Sequence, residues 1–269
     1  MPELRIPEQV NKALLMLSKE GHGAYMVGGC VRDSLLGKTP GDWDITTSAL
    51  PEETKRVFSG CRQADTGIRH GTVLVVLDGM PLEVTTYRVE GGYSDRRHPD
   101  TVHFTKRLQE DLGRRDFTIN AMAYHPQGGL VDFFGGQMDL KAGLVRCVGD
   151  PSVRFQEDAL RILRALRFAS VLDFSLDRQT AEALLENRRL LQNVAAQRIS
   201  SEFLKLLCGP GAGRVLREYA PVIGEVIPEL SALVEFGRNS RDPSYDVYEH
   251  SVRAVDWIEP APVLRLGAP

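Results

Sequence analysis

The sequence predicts a mixed α/β head of α+β class, followed by an all-helical neck and body. Three observations carry this expectation. Short apolar runs alternate with helical periods from Ala24 to about Val148. From Pro151 onward helical periods dominate and no convincing strand follows. Two strings inside the head, Gly28-Gly29-Cys30-Val31-Arg32-Asp33 and Asp42-Trp43-Asp44, bring a glycine turn and a carboxylate pair close together. The 269 residues can bury a sizeable core in two or three units. The head is read as residues 1–148, the neck as 149–208 and the body as 209–269.

Val10, Ala13, Leu14 and Leu17 fall on one helical face, and Gly21 ends that helix. Ala24-Tyr25-Met26-Val27 reads as a short buried strand. The double glycine after it makes a sharp turn in which backbone can approach a ligand closely. Residues 31–36 then start a helix whose N–H groups and positive dipole end suit a triphosphate. Alternation in Asp42-Trp43-Asp44-Ile45 predicts a second strand, with both carboxylates on one face and Trp43 and Ile45 on the other. Two carboxylates so placed can hold Mg²⁺, a hard ion that keeps room for substrate phosphates. Taken separately, a Gly-Gly turn is usually only a turn, and aspartates one residue apart are usually solvated. Their combination with Arg32 and Asp33 is far more specific.

Further along, Thr72-Val73-Leu74-Val75-Val76-Leu77 and Leu82-Glu83-Val84-Thr85-Thr86-Tyr87 read as strands joined by a turn at Asp78-Gly79-Met80-Pro81. Residues 91–100 lack an apolar period and read as a mobile loop. In Arg114-Arg115-Asp116-Phe117-Thr118-Ile119-Asn120-Ala121 the residues alone suggest a charged turn ahead of a helix capped by Asp116 or Thr118. Leu160, Leu163, Ala165 and Leu166 mark one later helix. Ala181, Leu184 and Leu185 mark another, and Ile199, Phe203, Leu206 and Leu207 a third.

A hydrophobic share of 42% and a charged share of 26% are those of an ordinary globular protein. The net charge of −3 announces no nucleic acid, although local patches matter more than the sum. No apolar run reaches the length of a membrane span, and the N-terminus has no signal-peptide core. Cys30, Cys61, Cys147 and Cys208 are scattered, which favours reduced thiols in the cytoplasm over structural zinc.

With Arg32 and Asp33 behind the double glycine and Asp42-Trp43-Asp44 ten residues on, the chain resembles the tRNA nucleotidyltransferase and bacterial poly(A) polymerase superfamily. It is most similar to the class II CCA-adding enzymes. The resemblance covers roughly residues 5–256. It implies a polymerase-beta-like head in which Asp42 and Asp44 are catalytic and hold Mg²⁺, while Gly29 and Arg32 bind phosphates. It further implies that Arg115 contacts the incoming nucleotide and Asp116 helps choose ribose, whose 2′-hydroxyl a carboxylate can accept from. Asp132-Phe133-Phe134-Gly135-Gly136 through Asp139 matches a family element coupling head to neck, although a plain glycine turn explains it nearly as well. Glu83 is a candidate third carboxylate.

Asp158 and Arg161 carry a further argument. Three residues apart, their side chains neighbour each other on a helix, where they could form a surface ion pair of little energetic consequence. An ionised Asp only accepts hydrogen bonds, and an Arg only donates them. Adenine and cytosine each present an amino donor beside a ring-nitrogen acceptor, while guanine and uracil present the reverse. Such a pair therefore complements A and C and rejects G and U. The resemblance implies that these two positions act as an amino-acid template for ATP and CTP. Arg164 and Arg167 continue the spacing; they are either the wet face of that helix or, as the resemblance implies, further nucleotide contacts.

The partners implied are the tRNA 3′ end, ATP and CTP; oligomeric state is not encoded in any feature of the chain. A-only addition and poly(A) synthesis share nearly all of these residues; the resemblance implies that the loop around Arg96-Arg97 argues against a CC-only enzyme, whose loop there is shortened. Residues 245–252 resemble the opening of an HD-type phosphohydrolase fold, yet no His-Asp dipeptide occurs, so His250 is read as a core or capped histidine rather than a ligand. The tRNA-gripping tail is expected to be missing or curtailed. That keeps one rival from another class, a non-catalytic RNA-binding protein, against which the intact aspartates speak.

Overall fold

The computed structural model describes residues 4–94, 99–232 and 246–267. The basic loop around Arg96 and Arg97 and the residue Tyr245 lie outside them. The chain divides into two compact units. One takes the chain up to Gly92 together with Pro99–Leu140, and the other takes Lys141–Pro269.

In the first unit, helix α1 (Glu8–Lys19) buries Val10, Ala13, Leu14 and Leu17, the stripe its period predicts. In chain order come β1 (Ala24–Val27), α2 (Gly29–Leu35), β2 (Asp44–Thr47), α3 (Pro51–Val57), β3 (Arg62–Gly67), β4 (Thr72–Leu77) and β5 (Met80–Thr86). A separate ribbon of β6 (Arg88–Gly91) and β7 (Thr101–Phe104) follows, then α4 (Leu108–Gly113), β8 (Met122–His125), β9 (Gly129–Asp132) and α5 (Gly136–Ala142). Seven strands form one mixed sheet in the order β3-β4-β5-β2-β1-β8-β9. Within it only β2 and β5 run parallel, and that one pairing decides which residues face each other at the site.

The expected hairpin is tighter than the four-residue connection read from sequence. Leu77 pairs with Met80 across Asp78 (φ +48°) and Gly79 (φ +83°), a two-residue turn of the handedness that suits twisted strands. Pro81 lies inside β5. This costs no ladder bond on the β2 side, because β2 pairs only with Glu83 through Thr86.

The second unit holds α6 (Pro151–Glu157), α7 (Leu160–Leu172), α8 (Arg178–Asn187), α9 (Ala196–Leu207), α10 (Ala212–Glu218) and α11 (Ala220–Val226), then α12 (Val247–Trp257) and α13 (Pro262–Leu266). Helix α7 packs on α9, burying Ile162, Leu163 and Leu166 with Phe203, Leu206 and Leu207. The expectation of no strand after Pro151 needs correction. β10 (Leu144–Val145) pairs in parallel with β11 (Ser175–Leu176). Two residues are too few to show a period, so this pairing had no sequence signal. Of the two expectations for His250, core or capped, the core one falls: His250 is exposed in the first turn of α12, and the buried face of that helix is Tyr248, Val252 and Val255.

Candidate active site

Gly28 ends β1 and opens α2 with φ +81° and ψ −132°, a conformation that side-chain-bearing residues avoid. Its amide donates to the carbonyl of Met122 at 3.3 Å, which ties the turn to β8. A β-carbon here would also stand 3.1 Å from Nη1 of Arg115, so a side chain at this turn would press on that guanidinium. The helix starts at Gly29, two residues earlier than its apolar period suggests. Arg32 grips its neighbour Asp33 with two prongs, Nε to Oδ1 at 2.8 Å and Nη2 to Oδ2 at 3.0 Å. Its Nη1 donates to Oδ1 of Asn120 at 2.6 Å, and the Asn120 amide nitrogen donates to buried Asp116 at 3.2 Å. The two family strings are thereby joined through Asn120, whose role the sequence left unread.

The second strand begins at Asp44, and Asp42 sits on its exposed lead-in. In the β1–β2 register Gly28 falls opposite Trp43, so the turn there leaves Asp42 and Trp43 no strand partner on β1. Trp43 and Ile45 are buried on the opposite face, as alternation predicts. Glu83 lies directly across from Asp44 in the parallel pairing with β5. Burial pushes the Asp44 carboxyl up to about 6, and the charges of Asp42 and Glu83 push the same way, against the opposing pull of Arg115. A divalent cation fits this donor set, which is all hard oxygen and short of positive charge. No three such side chains among the described residues close into a cage. An open carboxylate pair of this kind suits an ion that takes its remaining ligands from water and substrate phosphates.

Arg115 reaches the site from the segment after α4. Burial lowers its guanidinium from the ordinary value, and the carboxylates of Asp111, Asp44 and Asp116 offset that in part. Its Nε is buried with no hydrogen-bond partner. An orphaned buried donor is costly unless an acceptor arrives. Instead of the predicted helix after Asp116, residues Thr118–Asn120 form one 3-10 turn leading into β8. Asp116 does not cap that turn, whose first flanking residue is Phe117; Oδ1 of Asp116 accepts instead from the Phe117 amide at 2.8 Å. Asp132 accepts from the amides of Phe134, Gly136 and Gln137, so that string is built as the start of α5.

In the second unit the expectation of Asp158 and Arg161 side by side on one helix needs correction. Asp158 ends α6 in an extended conformation (φ −139°, ψ 104°), and α7 begins only at Leu160. The two side chains therefore take different partners. Oδ1 of Asp158 accepts from the Leu160 amide at 3.1 Å, and Oδ2 pairs with Arg198 on α9 at 2.9 Å. Arg161 pairs with Glu157 at 2.5 Å. Arg167 meets buried Glu202 at 2.5 Å and lies over the Phe168 ring at 3.9 Å, while Arg164 stands 3.9 Å from Glu202. Glu157, Arg198 and Glu202 were not singled out from sequence. They bear charge on helices whose apolar stripes drew attention elsewhere.

Sheet order, turn and carboxylate pair together define a nucleotidyltransferase head. Residues 24–146 match the poly A polymerase head domain, and residues 173–220 match the probable RNA and SrmB-binding site of polymerase A. The chain is 46% identical over 242 residues to a CCA-adding enzyme of Ligilactobacillus salivarius, a match covering 86% of this chain and 59% of that protein. The crystal structure of Bacillus stearothermophilus CCA-adding enzyme in complex with CTP superposes with a TM-score of 0.74 at 39% identity, over 93% of this chain and 57% of that one. A tRNA nucleotidyltransferase complexed with a primer tRNA and an incoming ATP analog gives a TM-score of 0.66 at 31% identity, over 91% of this chain and 74% of that one. The chain belongs to the class II tRNA nucleotidyltransferase and bacterial poly(A) polymerase family. It spans about three-fifths of the length of the curated relatives that it matches.

Proposed function

We propose that this chain adds CMP and AMP from CTP and ATP to the 3′ end of tRNA without a nucleic-acid template. The observation that carries the reading is the crowding of Asp42, Asp44 and Glu83 beside the Gly28 turn and the unpartnered Nε of Arg115. In this reading the terminal 3′-hydroxyl attacks the α-phosphorus of the bound nucleotide and pyrophosphate leaves. Asp42 and Asp44 hold Mg²⁺, with Glu83 as support from the next strand. When bound, the ion neutralises triphosphate charge and acidifies the attacking hydroxyl. Gly29 and Arg32 bind the phosphates and Arg115 the nucleotide. Residues 149–208 supply base recognition through Asp158 and Arg161, with Arg164 and Arg167 beside them, and residues 209–269 form the body. The reaction belongs to the cytoplasm, where thiols such as its four cysteines stay reduced. No described helix is long and apolar enough to cross a membrane.

The test is to incubate the purified chain with tRNA ending at the discriminator base, with CTP and ATP separately and together. Two C additions with CTP alone and CCA with both support the reading. Asp42→Ala and Asp44→Ala should abolish incorporation while leaving the circular-dichroism spectrum unchanged. Incorporation of A alone, or a long A tail, would replace CCA addition by one of the related activities. Near-normal turnover of either alanine variant would defeat the metal assignment.

A further inference from the structure

We propose that Asp111 is a positioning residue for nucleotide binding: by holding one nitrogen of Arg115 it aims that guanidinium at the Gly28 turn. This rests on the reading of Arg115 as a nucleotide contact. Asp111 is completely buried on α4, and an unpaired carboxylate could not be held there. Four donors meet it. Thr46 Oγ1 donates to Oδ2 at 3.0 Å, and the Arg88 amide donates to Oδ1 at 3.2 Å. Arg114 Nε donates to Oδ1 at 3.0 Å, and Nη2 of Arg115 lies 3.5 Å from Oδ2. Burial pushes this carboxyl up, yet Arg114 and Arg115 outweigh burial and hold it below its ordinary value.

Thr46 gives this cluster its functional meaning. It stands two residues beyond Asp44 on β2, so the oxygen that holds Arg115 is itself registered to the strand bearing the catalytic carboxylate. At the other side of the guanidinium, Nη1 faces the space that a β-carbon on Gly28 would fill, and Nε has no acceptor. Arginine has four side-chain torsions and would lose much rotamer freedom on meeting a ligand. Fixing one nitrogen in advance removes most of that loss at the moment of binding. Arg114 does not share this part: its Nη1 turns to Glu90 at 3.0 Å instead.

A residue that acts only through Arg115 must fall silent once Arg115 is gone. The experiment is a double-mutant cycle on this chain, read as the dissociation constant for CTP by titration calorimetry with Mg²⁺, with thermal melts alongside. Asp111→Asn should weaken CTP by roughly tenfold, the size expected for a charge-assisted hydrogen bond. Thr46→Val, which removes only the hydroxyl that registers Asp111, should weaken it by about threefold. The single-turnover rate at saturating CTP should fall by less than the affinity does. On an Arg115→Ala background neither substitution should weaken CTP further. Losses that multiply on that background would overturn the positioning role alone and leave Arg115 a nucleotide contact. An Arg115→Ala variant with unchanged affinity would overturn both. Should Asp111→Asn fail to fold, Thr46→Val decides: a folded protein with unaltered CTP affinity refutes the proposal.

Discussion

Asp44 and Glu83 lie directly opposite one another in the parallel pairing of β2 with β5, two like charges facing across a strand gap. Opposed carboxylates destabilise a sheet, and Asp42 adds a third charge to the same patch. A sheet built for stability alone would place a cation or an apolar residue at one of these positions. A perturbed carboxylate such as Asp44 in this setting marks a site that exchanges stability for chemistry.

Asp44 should therefore cost the protein stability in a pH-dependent way. Its carboxyl is raised from 3.8 to about 6 by burial and by Asp42 and Glu83. Between those values the folded chain holds a proton that the unfolded chain has released, so stability falls as pH rises through that window. The penalty is complete above pH 6 and absent below about pH 4. Asp44→Asn should raise the unfolding free energy at pH 7.5 by up to about 3 kcal/mol in Mg²⁺-free buffer, while abolishing incorporation. Urea melts of both proteins from pH 4.5 to 8 measure this. A stability difference that stays constant across that range would refute the assignment.

Asp158→Ala should erode base discrimination more than nucleotide affinity. One carboxylate oxygen is anchored by Arg198 and the other by the Leu160 amide, so the group is held in place with lone pairs left to accept from an amino group. Losing one such bond costs about 1–3 kcal/mol for a base that makes it and nothing for one that does not. Single-turnover incorporation of UTP and GTP, relative to CTP and ATP, should rise by about tenfold or more. An unchanged preference would remove Asp158 from base selection.

Arg265 offers a purely structural contrast. Its buried guanidinium donates Nη1 to the carbonyls of Leu207 and Gly209 at 2.6 and 3.1 Å, and Nε to that of Ile258 at 3.1 Å. It thereby closes the C-terminal end of α9, where carbonyls lack intrahelical partners and a cation is favoured. Arg265→Met keeps most of the bulk and orphans those carbonyls, so unfolding should become easier by about 1–3 kcal/mol. Thermal melts should show the loss, while CTP affinity stays within twofold. A melting temperature equal to that of the parent would show that the cap contributes nothing.

Several site features were legible in the sequence because they depend on local rules. The Gly28 turn and the burial of Trp43 and Ile45 follow from period and from backbone freedom, whereas the strand expected from Asp42 begins only at Asp44. The pairing of Asp158 with Arg161 was misread for a reason equally local. A helical period was extended across Asp158, where the backbone leaves the helix and carries the side chain toward Arg198, forty residues away.

Read alone, the sequence determined the mixed head and the helical region after it, the glycine turn, the carboxylate pair and the family these strings belong to. Only the tertiary structure decided which charges meet. The opposition of Asp44 and Glu83 arises because β5 runs parallel to β2. The burial of Asp111 under Thr46 and Arg115 arises because α4 lays its acidic residue against that same strand. Periodicity reports which face of an element is buried, a property of near neighbours in the chain. Arg114 and Arg115 are near Asp111 in the chain, but the contacts of Asp111 with Thr46 and of Asp158 with Arg198 are set by strand order and helix docking, and nothing near either carboxylate encodes them.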